Sequence, residues 1–388
     1  MQIAFFYFLL FLAQGIIIPY LPRYFYALGF SGKQVGTILA LLPLLAIFGP
    51  PCWGFVADRT GRPARVLKLI SAGAALMFLP MLKVTSFWAV AAVFILYSLF
   101  APAVQSLTDS IAVSEAKRLG THYGRLRLWG SIGFIVSALG YPYLLEAGLS
   151  LNWTVVFAAG ALGLYALASH LVPSTAGRAS SGTQAHATLR DARDLLAQPA
   201  LLAFLLAAMT HWTAMQCYYQ LYALHLDKLG IPARFIGWGL TLGVCTEITV
   251  MFTFRSLLKR LPLFLLLCIA FLGSSLRWYL VSRLSTGPAL AAVQMFHGLS
   301  FGIFYVGSLG HLEQAVPERL RATGWALFTA VVFGCGGILG NKLMGAAYDV
   351  AGASAGFQVS AMLELLAPLP LIVLWLRRRK APAVVSSQ

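Results

Sequence analysis

Apolar residues along this chain gather in runs of about twenty, the length a helix needs to cross a hydrocarbon core. Short polar or Gly/Pro-bearing breaks separate the runs. They predict transmembrane helices at 3–27, 34–56, 66–83, 87–111, 127–147, 152–172, 198–226, 235–257, 261–281, 287–312, 320–345 and 355–376. The expectation is an all-α membrane protein of twelve spans. The first run has no charged leader and no small-residue cleavage site, so it reads as a retained first span and not as a secretory signal.

One long polar stretch interrupts the pattern. Residues 173–197 are rich in Ser, Thr, Gly and Ala, carry Arg178, Arg190 and Arg193, and have six runs on either side. They read as a flexible cytoplasmic linker between a six-helix bundle at 1–172 and another at 198–376, with a polar tail at 377–388. Two such bundles can rock about a central site and open it to one side at a time.

Composition sharpens this picture. Only 10% of residues are charged, against about 25% in soluble domains. The net charge of +16 raises the question of nucleic acid, but sidedness explains it better. With both ends cytoplasmic, 19 of the 28 Lys and Arg fall on the inner side and 7 on the outer, leaving Arg127 and Arg277 inside spans. Positive residues hold loops on the cytoplasmic side, so a multi-pass protein of the cell (inner) membrane follows, with the bilayer and no nucleic acid as its partner. Cys52, Cys217, Cys245, Cys268 and Cys335 all lie in spans without metal-like spacing, and read as small packing residues. No metal, cofactor or catalytic constellation is expected, which sets aside an enzyme or receptor.

The loop after the second run carries the strongest local motif, Gly54-x-x-x-Asp58-Arg59-x-Gly61-Arg62. A carboxylate at a helix end followed by cations can latch against neighbouring helix ends, and the glycines allow the tight turn and close contact. The pattern resembles the gating signature of the major facilitator superfamily, whose fold has twelve helices in two bundles of six.

Ionisable groups at membrane depth are costly and therefore candidates for function. Glu247, Arg277 and His297 fall on consecutive spans of the second half. A buried Glu balanced between desolvation and a nearby cation can load and release a proton, as a symporter requires. Asp109 and Glu364 read as structural, since both could reach an interface or a cation. His211, Trp212, Gln216, Tyr218, Tyr219 and Gln220 give the seventh span amides and rings that suit a solute with a flat face and polar edges.

Nearly the whole chain is similar to one branch of that superfamily, the group of the lactose permease, phenylpropionate permease and nucleoside–proton symporters. Gly15, Pro19 and Pro22 match its first helix. Where that resemblance implies a sugar-binding Glu, its partner Arg and a stacking ring, this chain has Gln105, Arg127 and Phe134. Loss of the Glu argues against galactoside recognition. The permease pattern Lys-x-x-His-x-x-Glu becomes Gln294, His297 and Ser300, so the usual proton-carrying Glu is missing. Arg277 matches the ninth-helix Arg. Two Asp positions of the seventh helix fall on Gln216 and Tyr219, and the eleventh-helix Lys on Phe333. Glu247, in place of an Asn, is read as the replacement proton carrier, with Arg277 and His297 tuning it. The segments around Glu247, Arg277 and His297 look nearest to the phenylpropionate side of the group. The expected function is proton-coupled import of a sugar, nucleoside or aromatic carboxylate by a monomer, with Gln105, Arg127, Phe134, Gln216, Tyr219 and Gln294 at the solute. Export of drugs or metabolites is the rival reading.

Overall fold

A computed structural model describes residues 2–172 and 189–380, and every element among them is helical. The first bundle contains α1 (Gln2–Ala27), α2 (Gly32–Thr60), α3 (Pro63–Leu82), α4 (Phe87–Arg118), α5 (Tyr123–Glu146) and α6 (Trp153–Leu171). The second begins with α7 (Pro199–Lys228), α8 (Arg234–Arg260), α9 (Leu263–Arg283) and α10 (Gly287–Ala315). A helical run then extends over Glu318–Leu374, 57 residues, or about 85 Å at helical rise, more than twice a bilayer core. It breaks at Ala351 and Gly352, where Gly352 has φ +76°, a conformation suited to glycine. The break divides the run into α11 (318–350) and α12 (353–374), which completes the twelve expected spans.

Local chemistry sets the ends. Ser31 and Gln34 form a reciprocal capping box at the start of α2. Gly61 closes α2 with φ +60°, and Pro63 opens α3 at a position where its missing N–H is harmless. The fourth span differs from its expected end at 111 by running on to Arg118, because Ser114–Arg118 continues as a polar helix past the apolar run. The expected linker lies outside the described residues over 173–188, and the expected tail does so over 381–388. Residues Leu189–Leu196 form a helix, not a coil. Its Leu195 is buried in the second bundle, which supplies the apolar contact that orders it.

The two bundles meet at one end of the molecule. α7 lies against α1, α8 against α5, and α11 against α2. Small residues permit these approaches. Gly32 and Gly345 pack backbone to backbone, Gly36 lies on the Asn341 carbonyl, and Gly237 lies on that of Ala138. Gly336 and Gly340 turn instead to α7, and Gly334 and Gly337 to Ile47 and Pro43 of α2. One continuous apolar core fills the first bundle and crosses into this end of the second. The opposite half of the second bundle has its own core, from Leu195 to Leu371. The bundles are therefore joined at the end holding Gly32 and Asp349, here the sealed end, and parted at the end holding Asp58, the motif end.

Candidate functional site

Three carboxylates cross the seam at the sealed end. Asp349 accepts from the backbone N–H groups of Gly32 and, at 2.9 Å, Lys33 at the start of α2. Those N–H groups lack helical partners and sit at the positive end of the helix dipole. Arg23 of α1 pairs with Asp227 of α7 at 2.6 Å. Glu146 of α5 accepts from the Arg234 backbone N–H at 2.7 Å, with the Arg234 side chain 3.4 Å away. Tyr26 and Tyr348 pack ring to ring just beneath.

At the motif end the expected gating residues Asp58, Arg59, Gly61 and Arg62 are exposed. Among the described residues Asp58, Arg59 and Arg62 enter no ion pair. Gly61 makes the expected turn, whereas a methyl on Gly54 would meet open space. The close contact expected of Gly54 is absent here because the bundles are apart at this end.

Between the ends, α5 and α8 bring two charged groups toward each other. The Arg127 guanidinium lies 3.9 Å from the centre of the Phe11 ring and 5.9 Å from that of Tyr7. Gly130 leaves the room for it, since a Cβ there would strike both Arg127 and Phe11. No ion pair to Arg127 occurs among the described residues, yet Glu247 on α8 is within Coulombic reach across the gap. Tyr305 on α10 is within Coulombic reach of Arg127, Glu247 and Asp109. Gln105 and Phe134 are half-buried on the same side, and Gln105 accepts from Gln14 at 3.1 Å. Asp109 accepts from the phenols of Tyr7 and Tyr123, both in its own bundle, and enters no ion pair among the described residues, whereas a cation or an interface was expected to hold it.

The second bundle holds a chain of three groups. Arg277 has no exposed surface and lies between the rings of Tyr218 and Trp278, 4.5 and 4.2 Å from their centres. It donates through Nε and Nη2 to Gln294 Oε1 at 3.1 and 2.6 Å, and through Nη1 to Ser300 Oγ at 2.8 Å. Nη1 is also 3.0 Å from His297 Nδ1. A guanidinium only donates, so Nδ1 is the acceptor and a neutral His297 carries its hydrogen on Nε2. That nitrogen faces Glu247 Oε2 at 3.6 Å, just beyond direct bonding, so a small shift makes or breaks the link. Glu247 keeps 20% of its side-chain surface exposed and forms the accessible end of the chain. His297 sits where α10 passes from the 3₁₀ turn Val293–Phe296 into the π-helical turn Gly298–Ile303, an irregularity of a kind often found at functional sites.

The remaining candidates occupy different places. Tyr219 is half-buried beside Trp212 and Tyr218 and within Coulombic reach of Glu247. Gln216 is buried in the packing of α7 on α11, with Oε1 accepting from Asn341 at 3.3 Å. Gln294, expected at the solute, is instead wholly buried; its oxygen accepts from Arg277 and its amide donates to the Leu290 carbonyl. Once the Lys of the resembled pattern becomes Gln, the shorter side chain folds back to satisfy the buried cation. The seam carboxylates Asp227, Asp349 and Glu146 escaped the sequence reading. Each lies at the end of a span among ordinary loop charges, and its partner is 88 to 317 positions away.

Known proteins place this arrangement. Residues 1–359 match the MFS_1 like family. The maltose permease of Geobacillus stearothermophilus is 29% identical over 335 residues, covering 85% of this chain and 83% of the relative. The probable 3-phenylpropionic acid transporter of Escherichia coli (strain K12) is 25% identical over 346 residues, 84% of this chain and 86% of its own. The crystal structure of nucleoside transporter NupG has the same fold, with a TM-score of 0.84 over 96% of this chain and 98% of that one, at 19% identity. With twelve membrane helices in two bundles parted at one end and braced by charge at the other, the chain belongs to the MFS_1-like family of the major facilitator superfamily and is a membrane transporter of small organic solutes.

Proposed function

We propose that this transporter is a monomeric proton symporter that imports a solute with a flat face and a polar or anionic edge. The sugar, nucleoside and phenylpropionate carriers among its relatives set the chemical range. The motif end then faces the cytoplasm, in keeping with its positive loops, and both chain ends lie on that side of the inner membrane. The described state is open inward.

One observation carries the reading: a partly exposed carboxyl, Glu247, stands at the cleft end of the Arg277–His297 chain and within Coulombic reach of Arg127 on the opposite bundle. An ionised Glu247 attracts Arg127, whereas a protonated one leaves that guanidinium to the solute. Proton and solute then load together, and release of the proton toward the open mouth restores competition for Arg127. Phe134 and Tyr219 offer faces for the flat part, and Gln105 an amide. Arg277 and His297 remain inside the second bundle and act on Glu247, while Gln216 and Gln294 support the walls.

The test is uptake by inside-energised vesicles of maltose, xanthosine and 3-phenylpropionate. Glu247→Gln is expected to abolish proton-driven accumulation of whichever solute the native protein takes up, while exchange across equal pH persists. Accumulation at the native level in that variant would falsify the carrier role of Glu247. Proton-driven efflux of the same solutes by the native protein would favour the exporter.

A further inference from the structure

The cleft leaves one wholly buried titratable pair without a role. His211 of α7 and Glu364 of α12 have no exposed side-chain surface, with Nδ1 2.8 Å from Oε2. The imidazole lies against the rings of Phe271 and Phe304, 5.2 and 4.3 Å between centres. Its other nitrogen, Nε2, is 2.9 Å from the backbone carbonyl of Ser300. A carbonyl only accepts, so Nε2 carries hydrogen. The Nδ1–Oε2 contact must then hold one proton, on the imidazole or on the carboxyl. Either way the pair is neutral as a whole, which is how a carboxyl persists at this depth.

Both partners of the pair lead to Arg277. Ser300 lies in the π-helical turn of α10; His211 holds its carbonyl while its hydroxyl accepts from Arg277 at 2.8 Å. Glu364 Oε1 accepts from Trp278 Nε1 at 3.4 Å, and the Trp278 ring lies under the guanidinium. The hydroxyl beside Arg277 and the ring beneath it are thus fixed by a single pair. The titratable groups facing the pair are Cys217 on its own helix α7, Arg277 on α9 and His297 on α10. None of these is a second carboxylate, and the pair is closed to the cleft.

We propose that His211 and Glu364 form a one-proton brace that positions Arg277 against His297 and so sets how readily Glu247 exchanges its proton. The brace keeps its own proton throughout the cycle. It acts by placement, through Ser300 and Trp278, and touches neither solute nor cleft. This inference rests on the reading of Glu247 as the exchangeable carboxyl.

The experiment titrates full-length protein in liposomes by infrared difference spectroscopy, following the carboxyl band that disappears in Glu247→Gln. Glu364→Gln keeps both contacts, its amide donating to His211 Nδ1 and its oxygen accepting from Trp278. Its midpoint is expected to match the native one. Glu364→Ala removes both and is expected to displace the midpoint by about one pH unit, a tenfold change in proton affinity. Trp278→Phe keeps an aromatic face, smaller than the indole, under the guanidinium and removes the bond to Glu364, and is expected to displace it by less, in the same direction. A native midpoint in a folded Glu364→Ala protein overturns the brace; if that protein does not fold, a native midpoint in Trp278→Phe does so. Displacement in Glu364→Gln equal to that of an alanine or phenylalanine variant also overturns it, because the proton itself would then be what matters. Absence of any titrating band lost in Glu247→Gln sinks the reading of Glu247, a result separate from all of these.

Discussion

The two ends of this molecule are built from similar materials and do opposite things. At the sealed end, Asp349, Asp227 and Glu146 each reach from one bundle to the other, and Gly32 and Gly345 bring two backbones together. At the motif end, Asp58 and its neighbouring arginines are exposed, with no cross-bundle ion pair among the described residues. A carrier must exchange these conditions in each cycle. The difference teaches that the state is held by contacts that form at one end only, and each set should be strong enough to close its gate and weak enough to release it. A gap of a few kcal/mol meets both demands.

That comparison breaks most completely at the glycine contact. A Cβ at Gly345 would lie on the Gly32 carbonyl oxygen, backbone against backbone with no side chain to yield. Gly345→Val should hold the sealed end apart, with overpacking of about 2 kcal/mol or more displacing the two-state balance roughly thirtyfold. Thiol-reagent access to a cysteine introduced at the sealed end should rise accordingly, and transport should fall to background; native access would remove the contact from the gate.

A smaller effect is expected at the other end. If Asp58 takes cross-bundle partners when the motif end closes, Asp58→Asn loses a charge-assisted contact of about 1.5 kcal/mol, a roughly tenfold loss of the population closed at that end. Transport rate should drop by that order while the melting temperature of the protein open at the motif end stays put, since Asp58 enters no ion pair there among the described residues. A large drop in melting temperature would mean that Asp58 already supports the described state.

The smallest effect belongs to Arg23 and Asp227, whose carboxylate is 43% exposed. Exposed pairs contribute about 0–1 kcal/mol, so Arg23→Gln should change transport by less than about fivefold, and less still at high salt. A loss matching that of Gly345→Val would make this pair, and not the glycine contact, the main fastening.

Much of this was legible along the chain because bilayer physics writes it there. Runs of twenty apolar residues, the polar break near the middle and the loop glycines required no tertiary knowledge. Glu247, Arg277 and His297 stood out because a charge at membrane depth demands an explanation, and the structure brings the three together. Gln294 and Gln216 were harder. An amide on a spanning helix can face a solute or a buried partner equally well, and here the first turned to Arg277 and the second to Asn341. The helix at Leu189–Leu196 was hidden by a polar composition whose few leucines matter only once there is a core to receive them.

The sequence by itself determined the number of spans, their division into halves and the presence of costly charges within them. Those follow from transfer free energies that act residue by residue. Only the tertiary structure decided which charges share a partner, that Arg277 lies behind His297 and not in the cleft, and which end is closed. These depend on distances between residues far apart in the chain, and hydropathy along one strand of sequence carries no record of what lies across a helix interface.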